Sequence, residues 1–202
     1  MSEGRITETV NNIITSSPYT IYLSCILASL ISGDYKYVLF GAFVIFFGDM
    51  CNAMEKKIFK AILPDYFGKR PSGCGNSLGK KCSGCGIYPS RKVSKTWGMP
   101  SGHTQIITLT AVFWTIYLVA MYKHEQAQYD AKNIPNPPNQ GTLITQLIFI
   151  WLLTVIICAQ RVYSKCHNLI QIVVGAAFGA GFGVLVYFIC SKISNEKFPT
   201  KF

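Results

Sequence analysis

The sequence predicts an all-α, polytopic membrane helix bundle with about five transmembrane helices and its chemistry gathered at one membrane face. Three observations predict it. Half of the 202 residues are hydrophobic and only 14% are charged, a composition at odds with disorder and with a water-soluble globule. The apolar residues fall into five blocks, each near the roughly 20 residues that cross a bilayer. None of the blocks shows the strict alternation of a half-buried strand, and residues 106–121 lack the polar stripe that a soluble bundle would carry.

The chain opens with residues 1–17, read as an amphipathic amino-terminal segment. Ile6, Val10, Ile13 and Ile14 recur at helical spacing, which suits a short interfacial helix. One Arg against two Glu makes no basic signal-peptide region, so the first span is expected to be retained. Residues 18–202 then form the membrane-embedded domain, with spans expected over 18–31, 35–47, 106–121, 143–158 and 169–190. The first two are short and need flanking residues or a thin bilayer. Residues 52–103 form a basic loop rich in Gly, Ser and Cys. Residues 123–141, with Pro135, Pro137 and Pro138 among several Asn and Gln, read as an exposed loop. Gly175, Gly179 and Gly183 stand four apart, a small-residue stripe that lets another helix approach closely. Five crossings put the amino end, the basic loop and the 160–168 turn on one side of the membrane.

Lys and Arg number 19 against 9 Asp and Glu, a net charge of +10. That excess points to anionic partners, whether phosphates, acidic lipid or nucleic acid. So few carboxylates argue against a dedicated magnesium or calcium cage. Nucleic acid is disfavoured because the basic loop lacks interleaved aromatics. Within that loop, Lys69-Arg70-Pro71 is followed by Trp97-Gly98-Met99-Pro100-Ser101-Gly102-His103 at the start of the third span. Pro100 and Ser101 are helix-start signals, and the free N–H groups at such an end bind phosphate. Between the last two spans lies Gln160-Arg161-Val162-Tyr163-Ser164-Lys165-Cys166-His167. An Arg there can grip phosphate oxygens bidentately, and an ionisable residue beside the membrane core is a functional suspect. Two His, two Arg and a Lys can thus converge on one anion. Such a set can run phosphoryl transfer without metal, one His attacking and the other protonating the leaving oxygen. The plainer alternative makes His103 and His167 ordinary polar residues at helix ends. His124, on the opposite face, has no assigned role, and Arg91, Lys92 and Lys95 read as a solvated or headgroup-facing set.

Taken in order, Arg70-Pro71, the complete Pro100-Ser101-Gly102-His103 and the spaced pair Arg161 and His167 resemble the three signatures of the phosphatidic acid phosphatase type 2 / vanadium haloperoxidase superfamily. The resemblance covers residues 52–183. It implies an integral-membrane lipid phosphatase; five spans disfavour a soluble haloperoxidase. By the resemblance, His167 is the nucleophile that becomes a phosphohistidine, and His103 is the general acid and then the base for water. Lys56, Arg70, Ser101, the Gly102 amide and Arg161 would hold the phosphate. No metal and no cofactor is implied, and vanadate is expected to inhibit.

Three positions depart from the pattern. Leu63 stands where the first signature has Lys, and Lys56 or Lys57 looks like the substitute; Asp49, Asn52 and Lys56 share a helical face, which favours Lys56. Gln160 replaces a Ser. Gln171 replaces the Asp that orients the nucleophilic His, bringing an amide oxygen without charge. If Gln171 merely orients His167, Gln171→Asp is expected to keep or raise turnover. Gln171, with Thr104-Gln105 after His103 and Val162-Tyr163 after Arg161, resembles dolichyldiphosphatase-like members. That suggests a polyprenyl diphosphate as the substrate, phosphatidic acid being the other candidate. The alternative function is a catalytically impaired relative that binds phospholipid or scaffolds other membrane proteins.

Of eight cysteines, Cys25, Cys158 and Cys190 fall in spans as inert core. Cys74, Cys82 and Cys85 cluster in the basic loop, with Cys82-Ser83-Gly84-Cys85 a C-x-x-C. Zinc would need a fourth ligand such as Cys51 or Cys166. Free thiols or a disulfide are preferred. Most of the Lys and Arg lie on the face of the site, which the positive-inside rule reads as cytoplasmic. Phosphate-binding cations bias that count, and the resemblance implies a lumenal or extracellular site, in the endoplasmic reticulum if the protein is eukaryotic or viral.

Overall fold

The computed structural model describes residues 9, 12–72, 85 and 97–193. Their helices are α1 (Ser17–Ser32), α2 (Lys36–Ile62), α3 (Asp65–Gly68), α4 (Gly102–Asp130), α5 (Gln140–Tyr163) and α6 (Leu169–Ile193). α2, α4, α5 and α6 are long and apolar enough to cross a membrane, while α1 is a shorter apolar helix of 16 residues. The protein is an all-α membrane bundle.

Two helices outrun their apolar blocks. α2 does not stop at Phe47 but runs to Ile62, so the first part of the expected basic loop is helical. Nothing breaks it before Pro64, which holds Leu63 in extended backbone (φ −101°, ψ 144°). Asn52, Glu55 and Lys56 line its buried side, whereas Met54 and Ile58 face outward. α4 continues to Asp130, because the run after Met121 is made of helix-tolerant residues with no Pro or Gly. The loop expected over 123–141 therefore shrinks to 131–139. At the amino end residues 12–15 are helical, and Ile6 and Val10 lie outside the described residues.

Inside α2, Val44–Met50 is wound as a π-helix. The extra residue per turn shifts the helix face and delivers Asp49, Asn52 and Lys56 to the interior. It also sets Gly48 against α4, where a Cβ would lie 2.6 Å from Ile106 Cγ1. α1 ends at Gly33 in the left-handed region (φ 66°) and turns into α2.

α4 is the central post. Its core residues Leu109 and Phe113 pack with Phe40, Val44 and Tyr187, and the Phe40 and Phe113 rings stack at 4.3 Å. α6 lies closest to it, along the glycine stripe. A Cβ on Gly175, Gly179 or Gly183 would fall 2.6, 2.4 or 2.8 Å from the carbonyl oxygens of Ser101, Gln105 and Leu109 respectively. Three glycines four apart thus meet three carbonyls four apart. α5 is peripheral: Ile148, Phe149, Leu152 and Val155 are exposed apolar side chains, as suits a lipid-facing surface.

Candidate active site at the membrane face

The site is assembled around one amide. Asn168 caps α6: its Oδ1 accepts from the Gln171 N–H at 2.9 Å, and Gln171 Oε1 accepts from the Asn168 N–H at 3.4 Å, a reciprocal capping box. The Gln171 side chain then reaches across to the loop after α2. Its Nε2 donates to the carbonyls of Phe67, Gly68 and Lys69 at 3.1, 3.3 and 2.9 Å. Three acceptors on that side fix which end of the amide is NH2. Oε1 therefore faces His167 and accepts from Nδ1–H at 3.1 Å.

The same residue ties in the third segment. The Gln171 carbonyl accepts from Ser101 N–H at 3.1 Å, and Gly98 N–H donates to the Gly68 carbonyl at 2.7 Å. A Cβ on Gly98 would sit 2.3 Å from Gln171 Oε1, so a larger residue there would displace the Gln171 amide. Lys69 and Trp97 pair as an antiparallel bridge. The Arg70, Pro100–His103 and Arg161–His167 segments are thereby joined into one structure.

The tautomer of His167 follows. Nδ1 carries the proton given to Gln171, leaving the Nε2 lone pair toward Arg70 Nη1 at 3.1 Å. Arg70 Nη1 also donates to the Cys166 carbonyl at 2.6 Å. Burial, then the charges of Arg70, Arg161, Lys56 and His103, hold His167 well below the usual imidazole range. It is a neutral imidazole at neutral pH, its Nε2 lone pair facing the Arg70 guanidinium. Burial and the neighbouring Arg161 likewise lower the Arg70 guanidinium from its ordinary value.

Arg161 is the most telling side chain. It is 0% exposed, and its Nε and Nη1 have no hydrogen-bond partner among the described residues. Nη2 reaches the sulfur of Cys166 at 2.8 Å. A buried guanidinium in this state is costly unless an anion joins it.

His103, one residue into α4, is buried and directs Nε2 at the Thr15 carbonyl, 2.9 Å away. Ser101 is the N-cap, its Oγ accepting from the Thr104 hydroxyl at 3.0 Å. Pro100 precedes that cap and so stands just outside the helix that it was expected to open. Ser101 and Gly102 are buried at the helix start beside His103. Lys56 is buried and Lys57 exposed. Lys56 Nζ donates to Asn52 Oδ1.

Several contacts escaped the sequence reading. Asn52 Nδ2 donates to Gln105 Oε1 at 2.7 Å, and Gln105 Nε2 donates to the Phe47 carbonyl at 3.0 Å and to Glu55 Oε1 at 3.3 Å, a polar relay behind Lys56. The capping box at 168–171 was legible as an Asn-x-x-Gln pattern. The Thr15 contact left no local signal. Cys85 and Cys166 form a disulfide, with Cα atoms 5.2 Å apart. Cys166 therefore serves as a disulfide partner in place of the zinc ligand weighed above. Cys74, Cys82, Arg91, Lys92 and Lys95 lie outside the described residues.

The chain is 24% identical to the dolichyldiphosphatase of Saccharomyces cerevisiae over 155 residues, 75% of this chain and 53% of that protein. It thus spans about half the length of the curated relative. No solved structure matches it significantly. The family model of the PAP2 superfamily matches residues 36–194, which takes in α2 to α6 and each of the three joined segments. The chain belongs to the PAP2 superfamily.

Proposed function

We propose that this chain is an integral-membrane lipid phosphatase that hydrolyses a phosphomonoester or diphosphate of a lipid through a phosphohistidine. The observation that carries the reading is Arg161, a fully buried cation with two guanidinium nitrogens unbonded among the described residues. With Arg70 and Lys56 it makes a hole of positive charge suited to phosphate. His167 Nε2 attacks phosphorus as the bond to the leaving oxygen breaks, and His103 gives that oxygen a proton. Water then attacks the phosphohistidine, His103 takes its proton, and the N–P bond breaks to free inorganic phosphate and neutral His167. Ser101 and the Gly102 amide complete the phosphate cradle at the start of α4.

The substrate we favour is a polyprenyl diphosphate, in line with the dolichyldiphosphatase relative. The same likeness supports placement in the endoplasmic reticulum. The Cys85–Cys166 disulfide supports a lumenal site, since such bonds persist in oxidising compartments. Phosphate release from a polyprenyl diphosphate and from phosphatidic acid, in detergent with EDTA, tests the reading. Release by the wild type, abolished by His167→Ala and by vanadate, is expected. Equal release from wild type and His167→Ala would overturn it in favour of a phospholipid-binding relative without catalysis.

A further inference from the structure

His103 Nε2 lies 2.9 Å from the main-chain carbonyl of Thr15, 88 residues earlier in the chain. A carbonyl oxygen only accepts, so Nε2 carries a proton and Nδ1 is the nitrogen left to give or take one. Nδ1 makes no hydrogen bond among the described residues. The ring is buried, and it is close enough for its charge to act on His167. The two histidines are therefore held by opposite nitrogens. His167 donates from Nδ1 to Gln171, and His103 donates from Nε2 to Thr15.

The Thr15 carbonyl is itself held in direction. It shares one planar peptide with the Ser16 N–H, which donates to the Asn12 carbonyl at 3.0 Å. The Ser16 hydroxyl donates to the Ile13 carbonyl at 2.9 Å, and the Ser16 carbonyl accepts from the Thr20 N–H at 3.0 Å. This peptide thus closes the helical turn of residues 12–15 on one side and joins α1 on the other, where Pro18 is buried. The match to the PAP2 superfamily begins at residue 36, so the contact comes from a part of the chain outside the matched stretch.

We infer that the amino-terminal segment completes the catalytic site: the Thr15 carbonyl positions His103, as the Gln171 amide positions His167. The inference rests on the phosphatase reading above. The protonated His103 ring passes its Nδ1 proton to the leaving oxygen as the O–P bond breaks. Nδ1 then takes a proton back from the water that attacks the phosphohistidine. Nε2–H stays on Thr15 throughout, so the carbonyl fixes the ring and steadies its cationic form.

Ser16→Pro tests this in the full chain. A proline at 16 removes the N–H that Asn12 receives and drives Thr15 out of helical backbone, swinging its carbonyl off His103. Ser16→Ala, which keeps the peptide, is the control. Both are assayed for kcat/KM on an alkyl phosphate, whose leaving alkoxide needs a proton, and on para-nitrophenyl phosphate, whose leaving phenolate needs little. Ser16→Pro should lose about 100-fold on the alkyl phosphate, the scale of general acid catalysis, and less than about tenfold on the nitrophenyl ester, with Ser16→Ala within about twofold on both. Equal losses on the two substrates would make the contact structural only. Unchanged activity would make it dispensable, and raised activity would make it a lock; each of these overturns the inference. A wild type that hydrolyses neither substrate defeats the phosphatase reading instead. Should Ser16→Pro fail to fold, ring-nitrogen NMR of the histidine-labelled wild type decides the contact. The neutral His103 ring should be the Nε2–H tautomer and the neutral His167 ring the Nδ1–H tautomer; an Nδ1–H tautomer at His103 overturns the inference.

Discussion

A guanidinium sealed from water with two nitrogens unbonded among the described residues costs the protein stability, and this sets what Arg161 should do. Arg161→Met keeps most of the volume and removes the buried charge. The empty protein should gain about 1–4 kcal/mol, seen as a higher melting temperature in detergent. Activity should fall steeply, and vanadate should no longer raise the melting temperature. Gln171 reads differently once its neighbours are known. From sequence, an Asp there should keep or improve turnover. The three carbonyls of Phe67, Gly68 and Lys69 reverse that expectation, because a carboxylate would face them in place of an NH2. Gln171→Asp and Gln171→Ala should each lower kcat by one to several orders of magnitude, going by the loss of an orienting partner in catalytic triads, roughly 10⁴-fold at the extreme. His167 has its folded pKa below its unfolded value, so its share of stability is present above about pH 6.5 and is lost as pH falls through the folded value. The acid limb of kcat/KM should accordingly lie below the ordinary imidazole range. Arg70→Gln removes a charge that lowers His167 and should move that limb toward neutrality, read from a pH profile. The identities of His103, Arg70, Arg161 and His167 as candidates were legible because each sits in a spaced motif. The partners of Gln171 were not, because three main-chain carbonyls a hundred residues away leave no mark on local sequence.

At the level of helices, the glycine stripe on α6 governs how near α4 can come. Gly179→Val would push a branched side chain into the Gln105 carbonyl and should destabilise by about 1–3 kcal/mol, the usual cost of overpacking. Gly181, with nothing within 4 Å of its would-be Cβ, is the control: Gly181→Val should leave thermal unfolding nearly unchanged. The stripe could be read from spacing alone, as could the existence of every membrane helix. The ends could not. Hydropathy marks where a helix is oily, whereas α2 and α4 stop where backbone chemistry stops them, at Leu63-Pro64 and after Asp130. The π-helical stretch Val44–Met50, which brings Gly48 against Ile106, was equally hidden.

For the molecule as a whole, the bundle carries its candidate site at one end, pinned by a covalent tie. The Cys85–Cys166 bond joins the basic loop to the residue beside His167, whose carbonyl also holds Arg70. Reduction, or the pair Cys85→Ser and Cys166→Ser, should loosen Arg70 against His167 and lower kcat/KM by up to about 100-fold, the scale of a misplacement of about 1 Å. The assay is phosphate release before and after reductant, with the serine pair insensitive to it. The cysteine spacing suggested a link without choosing the partners, because the choice depends on two loops meeting in space. The register of α6 on α4 has a last consequence. Glycine notches meeting carbonyl teeth every fourth residue allow these helices to mesh at settings about 6 Å apart along the axis, with none between. A slip would carry His103 a full notch from His167, so the vise has one working position. Fitting it to a bulkier or slimmer headgroup must therefore come from trading side chains around the jaws, never from sliding them.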